Sequence, residues 1–92
     1  MTNTLDPPPI AANADAIEVV RVWYQQPREG AELTFRPDVK HPRAWGLILA
    51  EITRQLVKSY VEQGKTEAEA IDAIHARYNQ EIKKHFPTVF LS

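Results

Sequence analysis

Cysteine is absent from this sequence of 92 residues. Disulfide bonds, thiolate zinc sites and thiol nucleophiles are therefore excluded, and the fold must be held together by its apolar core. Long apolar runs are lacking as well, because nowhere do about twenty apolar residues follow one another, the length that spans a bilayer. The first fourteen residues contain neither lysine nor arginine and have no apolar run, which is unlike a secretory signal. We expect a cytoplasmic protein without a membrane partner.

Charge of one sign is not in excess either. Eleven basic and twelve acidic residues give a formal net charge of -1. Nucleic acids and anionic membranes attract proteins through long-range electrostatics that a nearly neutral chain does not provide. We therefore expect no nucleic-acid partner.

The beginning of the chain is rich in proline and in small polar residues. Residues 1–15 include three consecutive prolines, Pro7 to Pro9, and few large apolar side chains. Such a composition buries too little apolar surface to offset the entropy lost on ordering. We predict a disordered N-terminal tail over residues 1–15 and a single α+β domain over residues 16–92, a length that allows one modest core.

Two segments have the β-branched and aromatic composition that is typical of strands. They are AIEVVRVWY (Ala16–Tyr24) and LTFRP (Leu33–Pro37), and the turn-rich QPREG lies between them. This arrangement predicts an antiparallel β-hairpin. With Gln26 opposite Ala31, the four-residue loop ends at Gly30, which is free to take a positive φ.

One face of this hairpin is predicted to be core. Alternation along the strands places these apolar side chains on it: Val20, Val22, Tyr24, Leu33 and Phe35. The reverse face of the first strand carries Ile17, Val19 and Trp23, so we expect the back of that strand to be covered too.

A helix is predicted between Pro42 and Gly64. Proline suits the first helical turn, and glycine suits the position just past the end. Apolar residues recur at helical spacing between them and predict a packed face: Trp45, Ile48, Leu49, Ile52, Leu56 and Tyr60. Gly46 would cost about 1 kcal/mol relative to alanine in a helix interior, and we interpret it as a site where another backbone approaches closely.

A second helix is predicted to begin after Thr66. Thr66 and Glu69 have the spacing of a capping box, and Pro87 requires the helix to end near Phe86. Its apolar row comprises Ile71, Ile74, Tyr78 and Ile82. The apolar segment from Val89 to Leu91 is then expected to add a short third strand or to dock on a hydrophobic surface. The predicted fold class is α+β: an N-terminal antiparallel β-hairpin, with or without this C-terminal strand, packed on two amphipathic α-helices.

Motifs that would signal catalysis or cofactor binding are missing or incomplete. Residues 64–66 spell the end of a phosphate-binding P-loop, but Ser59 stands where its leading glycine belongs and a helix precedes the triplet. His41, His75 and His85 include no pair at the i, i+4 spacing of a helical metal site. The acidic residues at the start of the second helix would oppose phosphates if it entered a DNA groove. We predict no catalytic, cofactor-binding or metal-binding residues.

Three segments together are similar to a known family. EVVRVWY (Glu18–Tyr24), FRP (Phe35–Pro37) and PRAWGLILAEITRQLVKSY (Pro42–Tyr60) resemble a small bacterial, alphaproteobacterial-type family of uncharacterised proteins, domain of unknown function 5076. The resemblance extends from Glu18 to Tyr78 and leaves out the proline tail and the C-terminal FPTVFLS. It implies a compact cytoplasmic α+β domain and brings no established activity.

These observations favour an interaction protein over an enzyme. A two-stranded hairpin is marginal on its own and has an unpaired edge that another chain can pair with. We expect a non-catalytic homodimeric interaction or regulatory module, with another protein as an alternative partner and no cofactor. The alternative is a small-ligand-binding protein or unusual enzyme whose aromatic pocket lies between the first helix and the sheet, with Arg54 or His41 as the polar anchor. The residues singled out for a pocket or an interface are Trp23, Trp45, Arg54 and Tyr60.

Overall fold

A computed structural model describes residues 3–39 and 41–90 of the chain. It divides into two compact units, residues 1–41 and residues 42–92. The first unit contains an antiparallel hairpin and the second contains two long α-helices. The predicted α+β class, with a hairpin followed by two helices, is confirmed.

The first unit is built on two short strands. β1 (Val20–Gln25) pairs antiparallel with β2 (Gly30–Phe35) in a sheet of two strands. β1 therefore begins later than predicted, and β2 begins and ends earlier. Ahead of them, Pro9–Ala12 forms an exposed turn of 3-10 helix, while the disorder predicted for residues 1–15 stays a prediction.

The hairpin loop differs from the predicted one. Gln26–Arg28 forms a 3-10 turn in which the N–H of Glu29 donates to the Gln26 carbonyl at 3.2 Å. Glu29 takes the left-handed conformation, with φ 50°, and Gly30 already belongs to β2. Gln25 consequently pairs with Gly30 and Tyr24 with Ala31. The predicted register, with Gln26 opposite Ala31, is wrong by two residues, and a shift of two leaves every side chain on its predicted face.

Helix α1 (Pro42–Glu62) has the predicted boundaries. Gly64 follows its end with φ 102°. The Gly64 N–H donates to the Val61 carbonyl at 3.0 Å, and the Lys65 N–H donates to the Tyr60 carbonyl at 3.1 Å. These two bonds form a Schellman motif, which explains why the helix ends here.

Helix α2 (Glu67–His85) begins at the predicted capping box. The Glu69 N–H donates to Thr66 Oγ1 at 3.1 Å, and the Thr66 N–H donates to Glu69 Oε1 at 3.2 Å. A one-turn helix, α3 (Pro87–Phe90), follows it. Of the two alternatives predicted for this segment, the short third strand is not found at Val89, which is helical. Docking on a hydrophobic surface stays a prediction. Leu91 lies outside the described residues.

The side of α1 that packs on α2 is not the one predicted. Among the described residues, only Val57 of α1 and Ala70 of α2 are buried. Four members of the predicted face keep between 39 and 47% of their surface exposed: Leu49, Ile52, Leu56 and Tyr60. Val57 lies about 100° around the helix from Leu56, because successive residues of an α-helix are rotated by that angle. The prediction found an apolar stripe but not the side that α2 covers.

Gly46 has no crowded surroundings. A Cβ atom added to it would meet no described atom within 4 Å. The interpretation of Gly46 as a site of close backbone approach is therefore wrong for the part of the chain that the structure describes.

Candidate functional site

One face of the hairpin consists entirely of aliphatic and aromatic side chains. Its cross-strand pairs are Val20–Phe35, Val22–Leu33 and Tyr24–Ala31, and these six residues are called the apolar hairpin face below. Its larger members Val22, Tyr24, Leu33 and Phe35 keep 53 to 60% of their surface exposed. Within the first unit this face does not form the predicted core, because a sheet of two strands has no second layer of its own to cover it.

The reverse face of the hairpin is mixed in character. Arg21 lies opposite Thr34, and Trp23 lies opposite Glu32. The Arg21 guanidinium donates to both carboxylate oxygens of Glu18, at 3.0 and 3.2 Å from one nitrogen. Trp23 stays about half exposed, so the described residues do not provide the cover expected for the back of β1 there.

The outer edge of β1 directs backbone groups away from β2. The Arg36 N–H donates to the Val19 carbonyl at 2.9 Å, which makes Val19 and Arg36 a hydrogen-bonded pair. Such pairs alternate with non-hydrogen-bonded ones in an antiparallel ladder, so the N–H and C=O groups of Val20, Val22 and Tyr24 point outward. The described residues add no third strand. β1 also lacks the lysine and proline residues that often protect an edge.

Three of the four residues singled out in the sequence lie on α1. Trp45 is half-buried in its first turn, and Tyr60 is exposed in its last turn. Arg54 lies nine residues after Trp45, which places it about 180° around the helix from that side chain. Arg54 therefore cannot act as the polar anchor of a site on the Trp45 side of α1. Trp23, the fourth residue, belongs to β1.

Arg54 is already bound within its own helix. Its guanidinium donates to both carboxylate oxygens of Glu51, at 2.6 and 3.0 Å, and Gln55 donates to the same carboxylate at 3.0 Å. These hydrogen bonds, chiefly those from Arg54, lower the pKa of Glu51 to about 2. The carboxylate in turn raises the pKa of Arg54. Arg54 and Glu51 therefore form a surface ion pair on this side of α1. Neither group is poised for proton transfer.

An open groove of about 670 Å³ lies between α1 and the start of α2. Its apolar part is formed by Val57, Val61 and Ile71, and its polar part by Arg54, Lys58, Glu62 and Glu67. Sequence reasoning missed this groove because Val57 and Val61 were left out of the predicted face. Their spacing of four residues was the available signal.

Neither a metal-binding cluster nor a membrane-spanning helix is found among the described residues. No group of three or more His, Asp or Glu side chains within residues 3–39 and 41–90 is placed to hold a metal ion. In the same two stretches, no helix combines the length and the apolar character needed to cross a bilayer.

Comparison with known proteins supports the fold and adds little on activity. No curated protein matches the chain. Solved structures that are similar to it include that of a "putative pyruvate dehydrogenase" from the photosynthetic bacterium Rhodopseudomonas palustrus CGA009. The identity is 30% and the TM-score 0.71, over 89% of this chain and 84% of that chain.

A family model also matches, over residues 4–86. This match is longer than the resemblance visible in the sequence, and it includes the three prolines of the N-terminal segment. Because it covers nearly all of the sequence, the chain belongs to the family described as Domain of unknown function (DUF5076).

Proposed function

We propose that this chain is a non-catalytic interaction module that works as a homodimer and that its hairpin forms the interface. The observation that carries the proposal is the apolar hairpin face, which contains no charged side chain and stays about half exposed. Surface apolar residues are ordinary when scattered, but a contiguous apolar patch is typical of an interaction site.

The low stability expected of an isolated hairpin favours an additional strand or layer that covers it. A two-stranded sheet is marginal in water unless further strands or a helix layer support it. Burying the remaining half of a Val, Leu, Tyr or Phe side chain contributes on the order of 1 kcal/mol. Four such side chains on one face are therefore a substantial driving force for association.

A second copy of the same chain is the occupant that the charges favour. The apolar hairpin face has no charged residue, so two copies can bring their hairpins together without like-charge repulsion on this face. The formal net charge of -1 likewise produces little repulsion between copies. Two-fold symmetric dimers use one surface patch on both subunits, which requires a patch compatible with itself.

The test compares two substitutions of an apolar residue by glutamate. Val22→Glu places a charge in the apolar hairpin face, while Leu47→Glu places the same charge on α1, where Leu47 is 74% exposed. By light scattering, we expect a dimer for the unmodified chain and for Leu47→Glu, and a monomer for Val22→Glu. Circular dichroism of the helices checks that each variant is folded. A dimer that persists in Val22→Glu would rule out this interface.

A second candidate function, binding of a small ligand, is supported by the groove between α1 and α2. Its volume is in the range of small-molecule sites, although it is open, and Arg54 and Lys58 line it beside apolar side chains. Because Arg54 is already bound to Glu51, Lys58 is the cation that would pair with the carboxylate of a ligand whose apolar part contacts Val61 and Ile71. A ligand that prefers the native state raises the melting temperature, so the test is a thermal-shift assay with octanoate, with pyruvate as a second probe. Ile71→Trp, which fills the groove, should abolish any shift, and no shift with the unmodified chain would exclude both ligands.

A further inference from the structure

We infer that two copies join through the outer edges of β1 and form a continuous four-stranded antiparallel sheet in which Val22 lies opposite Val22 of the second copy. The inference rests on the proposed homodimer and gives it an edge-to-edge geometry. The apolar hairpin faces of both copies then lie side by side on one side of the sheet, and the apolar side chains of β1 contact each other across the new seam. The resulting strand order is β2–β1–β1–β2, with one two-fold axis through the middle of the sheet.

The edge of β1 presents the groups that such a pairing requires. The outward N–H and C=O groups of Val20, Val22 and Tyr24 alternate in the pattern of an antiparallel ladder. A second copy related by a two-fold axis offers the same groups in the opposite direction. Pairing satisfies the edge of both chains at once, and it gives each hairpin the additional strands that independent stability needs.

Of the two outer edges of the hairpin, the edge of β1 is better suited to pairing with a second copy. Its sequence VRVWYQ is dominated by β-branched and aromatic residues, which fit a pleated sheet. β2 begins with Gly30 and Ala31, which are depleted in strands, and Pro37 follows soon after its end. An added strand on β2 would therefore gain less from its side chains.

The register follows from the extent of the ladder. The hydrogen bond from Arg36 to Val19 extends the pairing of β1 to seven residues, from Val19 to Gln25. A two-fold axis at the midpoint, Val22, allows all seven to pair with the second copy. A register centred on Arg21 or on Trp23 leaves residues at one end unpaired.

Side-chain chemistry favours the same register. Centring on Arg21 would place two guanidinium groups directly opposite each other, which is destabilising. Centring on Val22 places each Arg21 opposite Trp23 of the other copy, and both side chains are about half exposed. Arginine over an indole ring gives a favourable cation–π contact. Val20 then lies opposite Tyr24, an aromatic–β-branched pair of the stabilising kind.

The experiment uses single cysteines in the full-length chain, which has no cysteine of its own. Opposite residues in a hydrogen-bonded pair have Cα atoms about 5.5 Å apart, within the range of about 4.4 to 6.8 Å for disulfides. Val22→Cys should therefore form a covalent dimer under mild oxidation. Leu33→Cys is the matched control on the same face, and its two copies would be separated by three strand spacings, roughly 14 Å. Trp23→Cys tests the neighbouring register, because its copies meet directly only if the axis passes through Trp23.

The expected result is near-complete cross-linking of Val22→Cys and only background cross-linking of the other two variants on a non-reducing gel. Cross-linking of Leu33→Cys would contradict pairing through the β1 edge. Preferential cross-linking of Trp23→Cys would contradict the register centred on Val22. If no variant cross-links while light scattering still gives a dimer mass, the edge pairing is wrong and the homodimer stands. If the unmodified chain is a monomer, the proposed function itself fails.

Discussion

Glu29 is the residue that fixes the register of the hairpin. It closes the loop in the left-handed conformation, with φ 50°, which non-glycine residues adopt at a cost. We expect Glu29→Gly to be more stable than Glu29→Ala by about 1 kcal/mol, because both variants lose the same side-chain interactions and only glycine relieves the backbone. Urea unfolding of the two variants measures the difference. Equal stability would contradict the left-handed assignment and, with it, the observed register.

The same residue shows why the sequence predicted a hairpin but not its pairing. Composition and the QPREG segment predict two strands and a turn, and the structure contains all three. The register depends on which residue takes the positive φ, and glycine next to Glu29 offered the more common choice. The apolar hairpin face was likewise predictable only in part. The alternation of side chains along each strand grouped its residues correctly, but it did not reveal that the face is exposed.

At the scale of the secondary-structure element, Thr66 is important because its side chain and backbone cap the start of α2. We expect Thr66→Ala to lower the free energy of unfolding by about 1 kcal/mol at neutral pH, the usual effect of losing an N-cap. Thr4→Ala, at an exposed position in the N-terminal segment, is the matched control and should be neutral. Thermal unfolding of both variants measures the effect, and an unchanged Thr66→Ala variant would contradict the capping box.

The pH dependence of this cap has a defined direction. Hydrogen bonds from Thr66 hold the pKa of Glu69 below its ordinary value of 4.5. The ionised carboxylate therefore stabilises the folded chain above about pH 4.5, and this contribution is lost as the pH falls through the lowered folded-state pKa. The stability difference between the unmodified chain and Thr66→Ala should accordingly shrink in acid. A difference that grows on acidification would show that Glu69 is not bound as described.

Helix boundaries were predictable because their signals are local. Pro42, Gly64, the Thr66–Glu69 pair and Pro87 each act within one or two turns, and every boundary that they predicted was found. The buried side of α1 was not predictable in the same way, because α1 is apolar over a wide arc and only the position of α2 selects Val57. The strand offered as one alternative for Val89 was not found for a related reason, since apolar character alone does not distinguish a strand from one helical turn.

At the scale of the whole molecule, the main feature is how little of the described chain is buried. Val57 and Ala70 alone are buried among these residues, while large apolar side chains of both units stay exposed. A folded domain needs substantial apolar burial to offset its conformational entropy. In the proposed homodimer, a second copy buries part of this apolar surface on the hairpin, and stability should then increase with protein concentration.

Sedimentation equilibrium of the unmodified chain, over about 1 to 200 μM, tests this account most directly because mass action separates an associating chain from a monomer. The account predicts a mass that approaches twice the chain mass of 10.5 kDa as the concentration rises. A mass that stays at 10.5 kDa over the whole range would contradict it.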